Sequence, residues 1–269
     1  MNDGLVKLLE LSPLDMPDTF VGAHNGPSGK RAYGGLLTAQ ALAAAGGTVG
    51  PGFRPTSLHA QFLRGGDAGS PVRYDVERVY DGRTAASRRV RASQDGRLLV
   101  AVTASFATSA PGPAHAERCE CDADPDALPR TGPIGPAPAL PAGEVDIRIR
   151  DERSGTDFVR RLWWRVTATL PADPLTHACA AAFVTDIYGV DPILAVHGHS
   201  MTDRSHHAGT TDASIWFHDD IHADRWNLLE SRSPAAGRGR GVMIAGLFDA
   251  GGVRVATVVH EGQAVTRGA

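Results

Sequence analysis

The chain reads as one pattern written twice, and that repetition limits its folds more than any single segment does. Residues 34–47, GGLLTAQALAAAGG, make an apolar helical run. Four alternating stretches follow: TSLHAQFLRGGD, PVRYDVERVYDG, TAASRRVRASQDG and RLLVAVTASFAT. The second half repeats the order, with the helix DPLTHACAAAFVTDIYG and then TTDASIWFHDD, RWNLLESRSPAAG, RGRGVMIAGLFDAGG and VRVATVVHEG. Turn residues agree as well: QDGR and DAGGV fall between the last two strands of each half, where Gly supplies the positive φ of tight hairpins. A duplication is the economical explanation. A long apolar helix followed by an antiparallel meander predicts an α+β unit whose sheet wraps its helix. Two such sheets joined edge to edge hide strands that would otherwise be exposed.

Between the copies, residues 110–143 are dense in Pro, Gly, Ala and acids, a composition poor in core-forming side chains. The expected division is a first domain over 1–110, a crossover over 111–157 and a second domain over 158–269. With 269 residues, 42% of them hydrophobic, the chain is long enough for a full core. Lys plus Arg number 27 against 30 Asp plus Glu, a net charge of -3, so no global basic field exists to hold nucleic acid or an anionic membrane. The first residues, MNDGLVKLLELSPLDM, lack a charged region followed by an apolar run and cleavage site. No stretch approaches about 18 apolar residues. Both point to a cytoplasmic protein. Cys119, Cys121 and Cys179 suit the same compartment, and His115 with Cys119 and Cys121 matches no common zinc spacing.

In the last strand, Arg254, Ala256, Val258 and His260 share one face, opposite Val253, Val255, Thr257 and Val259. From the residues alone, the plain reading of His260 is a half-buried histidine at a strand end.

YGGLLTAQALAAA, SLHAQFLRGGD, the run from PVRYDVERV to VAVTASF, and TTDASIWFH together resemble the acyl-CoA thioesterase II family of bacteria and peroxisomes, from about Leu5 to His260. The resemblance implies a double hot-dog fold and hydrolysis of acyl-CoA to free acid and CoA, with no cofactor or metal. It also implies a water held by an Asp, a Thr or Ser, and a Gln, which fall here on Asp186, Thr210 and His260.

Sequence physics marks Asp186 independently. With Asp173 as N-cap and Pro174 at the first helical position, Leu175, Ala178, Cys179, Ala182 and Phe183 form the apolar stripe. Eleven residues beyond Leu175, at about 100° each, Asp186 returns to within roughly 20° of that stripe. Strand alternation puts Thr210 with Asp212 and Ser214 on one face. His260 departs from the family, whose members resemble VQEG where this chain has VVHEG. Neutral imidazole, like an amide, offers one donor and one acceptor, but it titrates near pH 6.5. Asp186 or His260 is then the acceptor of the water's proton.

Gly34 and Gly35 at the start of the first helix are expected to let backbone N–H groups approach the substrate's oxyanion. Close helix packing is the plain alternative. Lys30, Arg31, Arg64, Arg238 and Arg240 are the cations available for CoA phosphates, with Arg64 in FLRGGD the one placed in the site. The alanines of AQALAAA and ACAAAF leave room for an acyl tunnel or permit tight helix–sheet contact. VHGHSMTDRSHH begins like a nucleophile elbow at Ser200, but Thr202 stands where its final Gly belongs. His197, His199, His206, His207 and Asp203 in that stretch read as a polar loop rather than a metal centre. Paired sheets suggest a homo-oligomer. The competing class is a non-hydrolytic acyl-CoA-binding homologue that lost the family glutamine; a hydratase of the same fold is a third.

Overall fold

A computed structural model of the chain describes residues 4–24, 26–119, 121, 123–131, 144–155 and 157–268. The first copy comprises α1 (Leu5–Leu9), β1 (Leu11–Pro13), β2 (Thr19–Gly22), α2 (Gly34–Gly46), β3 (Phe53–Phe62), β4 (Val72–Asp81), β5 (Ala85–Gln94) and β6 (Arg97–Thr108). The second comprises β7 (Val145–Ser154), β8 (Asp157–Val166), α3 (Pro174–Thr185), α4 (Asp191–Ala195), β9 (His206–Phe217), β10 (Asn227–Gly237), β11 (Arg240–Phe248) and β12 (Arg254–Thr266).

All twelve strands form one sheet in the order β1-β2-β4-β5-β6-β3-β9-β12-β11-β10-β8-β7. That order is a palindrome of the two copies. β3 and β9 meet at the centre as antiparallel partners, with Ala60 opposite Ala213, and each copy extends outward through equivalent strands. The seam turns two edges that would template aggregation into one more ladder. This is the double hot-dog expected from the resemblance.

The copies are richer than a helix followed by a meander. β1 and β2 precede α2, and β7 and β8 precede α3. β7 lies inside the stretch expected as crossover, 111–157, and the signal for it is present: Val145, Ile147 and Ile149 alternate with Asp146, Arg148 and Arg150. Residues 132–143 of that stretch fall outside the described residues. The part of it near Cys119 is not merely polar connection, because Cys119, Cys121, Ala123 and Leu128 pack with Trp163, Trp226, Leu228 and Phe248 in a small second cluster.

α2 and α3 are apolar on nearly every side, as suits helices enclosed by sheet. α3 starts as expected: Asp173 accepts hydrogen bonds from the N–H groups of Leu175 and Thr176, with Pro174 at the first helical position. The helices run antiparallel, since the start of α2 meets the end of α3 and the reverse. A Cβ on Gly35 would lie 2.4 Å from the Phe183 carbonyl oxygen, and one on Gly46 would lie 2.3 Å from Leu175 Cδ2. Glycine at both ends therefore sets the helix spacing. Apart from the half-buried Ala43, the helix alanines are buried in the core, where they serve packing rather than a tunnel.

Two bulges break strand alternation where the sequence expected it. Glu261 faces Asp212 but Gly262 faces Thr210, so Thr211 is an extra residue in β9. Leu247 faces Ala256 but Phe248 faces Arg254, so Val255 is extra in β12. Arg254 consequently leaves the face of Ala256, Val258 and His260, and its guanidinium lies over the Phe248 ring.

Candidate active site

α3 ends at Thr185 because the next residues cannot continue it. Asp186 is the C-cap, Tyr188 takes φ +58° and Gly189 follows. A carboxylate at a helix C-terminus is opposed by its own helix dipole. The antiparallel arrangement offsets this, since it sets Asp186 against the N-terminus of α2, where the Gly35 N–H donates to it. Gly34 has no room for a side chain: its Cβ would lie 2.7 Å from Asp186 Oδ2 and 3.0 Å from the Phe62 ring.

Thr210 reaches the same carboxylate from β9, its hydroxyl donating to Asp186 Oδ1 at 2.8 Å. Straight alternation would have placed it with Asp212 and Ser214 on the outer face. The bulge at Thr211 turns it inward instead, onto the face of buried Ala213 and Ile215, while the Thr211 hydroxyl bonds Glu261.

His260 projects inward from β12, opposite Ala213 and Met243, and is 1% exposed. Its Nδ1 lies 3.9 Å from Asp186 Oδ1, and neither ring nitrogen has a hydrogen-bond partner among the described residues. Gly189 closes over it; a Cβ there would sit 2.6 Å from His260 Nδ1 and 3.2 Å from Asp186 Oδ1. The three polar groups thus meet around a single carboxylate oxygen.

Burial sets the electrostatics of the pair. The Asp186 side chain is only 12% exposed, and desolvation pushes its carboxyl up to about 6, against the bonds from Thr210 and Gly35 and the field of Arg31. Desolvation pushes His260 down to about 4. At neutral pH the carboxyl is mostly ionised and the imidazole neutral, so Asp186 is the base of the two.

A cavity of about 340 Å³ opens over the carboxylate. Gly34, Arg64, Asp186 and Thr210 line it, with Leu37, Phe62, Ile187 and Val190 as its apolar wall. His260 and Gly35 do not line it and stand behind Asp186. Gly35 therefore differs from its expected part: its N–H is directed at Asp186 rather than at a substrate oxygen, and its missing side chain makes space for Phe183. Arg64 sits at the rim, donating to the Leu98 carbonyl at 3.0 Å. Arg240 pairs with Glu261 away from the cavity. Tyr33 and Gly189, which sequence reasoning passed over, also line it. Gly189 had a signal in its place directly after the helix stop, where a glycine marks a change of direction.

The nucleophile-elbow reading of Ser200 fails in structure, because Ser200 lies in the loop between α4 and β9 with its hydroxyl bonded to Thr202. In that loop His199, Asp203 and His206 bring ligand atoms within 4.8 Å of one another. Ser205 and Ser200 hold the Asp203 carboxyl well below the usual range, with the Ser205 hydroxyl the largest cause.

Residues 23–107 match the family model for the acyl-CoA thioesterase N-terminal domain, and residues 116–264 match that for the acyl-CoA thioesterase C-terminal domain. The chain is 32% identical to acyl-coenzyme A thioesterase 8 of Homo sapiens, over 95% of this chain and 86% of that protein. It is 28% identical to acyl-CoA thioesterase 2 of Haemophilus influenzae, over 97% of this chain and 98% of that one. A solved acyl-CoA thioesterase II from Mycobacterium marinum is similar in structure with a TM-score of 0.82 and 31% identity, covering 97% of this chain and 98% of its own. A hot-dog protein from Alicyclobacillus acidocaldarius shares the fold, with a TM-score of 0.77 at 20% identity. With both halves matched in order, and with a buried carboxylate set between the two copies beneath an apolar cavity, this chain belongs to the acyl-CoA thioesterase family.

Proposed function

We propose that Asp186 and Thr210, with His260 set against the same carboxylate oxygen, activate the water with which this acyl-CoA thioester hydrolase attacks its substrate. Asp186 accepts the proton of the attacking water, and the water oxygen bonds to the thioester carbonyl carbon. Thr210 donates its own hydrogen to Asp186, which leaves its oxygen free to accept the water's second hydrogen. His260, neutral because it is buried, presents one donor and one acceptor beside the same carboxylate oxygen, as a glutamine amide would. Collapse of the tetrahedral intermediate breaks the C–S bond. The CoA thiolate takes up the proton held by Asp186, and the free acid departs.

The observation that carries this reading is the meeting of three polar side chains at Asp186 Oδ1 under a cavity with an apolar wall suited to an acyl chain. It favours hydrolysis over a purely binding role, since the change from glutamine to histidine keeps both hydrogen-bonding capacities. In the test, purified protein is mixed with acyl-CoAs of several lengths and a thiol reagent, beside Asp186→Asn. Wild type releases CoA, and the variant loses about 100-fold or more in kcat while still binding acyl-CoA. A variant with wild-type kcat would remove Asp186 from the mechanism. We assign the protein to the cytoplasm as a homo-oligomer; exposed Trp216, stacked edge-on with His59 on the outer face of the β3–β9 seam, supports the second point.

A further inference from the structure

The loop between α4 and β9 brings two imidazoles and a carboxylate to one point. Around the Ser205 hydroxyl oxygen stand Asp203 Oδ1 at 2.5 Å, His206 Nδ1 at 2.7 Å and His199 Nδ1 at 3.4 Å. His199 Nδ1 also lies 3.5 Å from Asp203 Oδ2, and the rings of His199 and His206 have centroids 4.8 Å apart. One ligand atom from each of the three residues falls within 4.8 Å of the other two. On a tetrahedral zinc ion, ligand atoms bonded at about 2.1 Å stand about 3.4 Å from one another. The edge between His199 and Asp203 already has that length, and rotation of the half-buried His206 ring is enough to bring in the third.

The carboxylate is held from behind, as metal ligands are by their outer partners. Asp203 Oδ1 accepts the Ser205 N–H and hydroxyl, and Oδ2 accepts the Ser200 N–H at 2.9 Å, which leaves Oδ2 a lone pair on the side of His199. The far nitrogen of His206, Nε2, lies 3.4 Å from the Thr266 hydroxyl of β12, which steadies that ring. A cavity of about 290 Å³ beside the two imidazoles, lined also by His197, gives room for water to complete a coordination shell. Arg240 in that cavity is paired with Glu261. Arg204 and Arg267 line the neighbouring cavity with His206, so the local field opposes a cation held by charge alone and admits one bonded to imidazole nitrogen.

We propose that His199, Asp203 and His206 bind a divalent transition-metal ion of the zinc type, which fastens this loop to the start of β9 and so holds Met201 and Thr202 in the wall of the cavity over Asp186. His199 and Asp203 bracket Met201 and Thr202 in the chain, both of which line that cavity, and His206 opens β9, which carries Thr210. An ion bonded at all three positions ties the bracketed stretch to the strand. Two nitrogens and one carboxylate oxygen suit zinc, cobalt or nickel, whereas magnesium and calcium take oxygen ligands. The inference does not depend on the hydrolytic reading of the Asp186 site.

In the test, the full chain, free of any histidine tag and stripped with a chelator, is titrated by calorimetry with zinc chloride and separately with magnesium chloride, beside His199→Gln/His206→Gln. Wild type takes up one zinc ion per chain and binds magnesium at least about 100-fold more weakly. The double variant binds zinc at least about tenfold more weakly and still unfolds cooperatively in urea. If it does not, Asp203→Asn, whose amide oxygen still accepts from Ser205, takes its place and shows the same loss. Amide exchange across residues 199–206 slows at least about threefold when zinc is added to wild type and stays unchanged in the variant. Wild type that binds no zinc, a variant within about twofold of wild type, or equal affinity for zinc and magnesium overturns the site. Zinc bound with no change in exchange overturns the fastening of the loop.

Discussion

Asp186→Asn separates what the carboxylate does for chemistry from what it costs the fold. In the folded chain the carboxyl stands at about 6, against 3.8 for an unperturbed Asp, chiefly because burial disfavours its charge. At about 1.36 kcal/mol per pH unit, that rise means holding the charged form in place costs about 3 kcal/mol above pH 6. The sign follows from proton counting. Between pH 3.8 and about 6 the folded state holds a proton that the unfolded state has lost, so wild type gains stability on acidification and loses it as pH rises through about 6. Asparagine carries no charge, but its amide nitrogen cannot accept one of the bonds now donated by Thr210 and Gly35, a loss of about 1 kcal/mol. The net expectation is a variant about 2 kcal/mol more stable than wild type at about pH 8, and an advantage about 2 kcal/mol smaller at about pH 4.5. Urea unfolding of both proteins at the two pH values measures this. A variant less stable than wild type at pH 8, or a difference that does not move with pH, would refute the claim that the fold strains to keep this charge.

Four further outcomes follow from the same geometry. On the proposed mechanism the acid limb of kcat/KM reports Asp186, so activity should fall about tenfold between pH 7 and pH 5 with a midpoint near 6. His260→Gln should leave that midpoint within about half a pH unit, because burial already keeps His260 neutral there; a limb that vanishes in the glutamine variant would make His260 the base. Thr210→Val removes a bond that lowers the Asp186 pKa, so the limb should move to higher pH as kcat drops about 10- to 100-fold, read from pH–rate profiles. Gly189→Ala places a methyl 2.6 Å from His260 Nδ1 and should cut activity at least about tenfold while urea unfolding stays cooperative; wild-type kinetics would show that the spacing around Asp186 is not critical.

Most of the scaffold was legible because the duplication states itself twice, in helix composition and in the hairpin between the last two strands. Asp95 and Gly96, both at positive φ, close that turn in the first copy; the Asp249 carboxylate accepts from the Gly251 and Val253 N–H groups in the second. Asp186 was legible by helix arithmetic, because three turns of α3 carry it back to the buried stripe. The inward turn of Thr210 was not, since a bulge inserts one residue without changing the local composition, and strict alternation then names the wrong face. β8 was missed because DFVRRLWWRV is buried at adjacent positions, Leu162, Trp163 and Trp164, and shows no clean period of two there.

The antiparallel meeting of α2 and α3 also has a consequence for ancestry. The carboxylate comes from the second copy, while the N–H that steadies it and the glycine that makes room for it come from the first. At the reciprocal junction α2 ends on Gly46 and Gly47 with no acid of its own, and Asp173 at the start of α3 is taken up in capping that helix. Fusion of the copies released each from having to be complete: one could specialise in supplying the charge and the other in receiving it. A half expressed alone would hold an unfinished pocket, and mixing the two halves should restore turnover only as fast as they find each other.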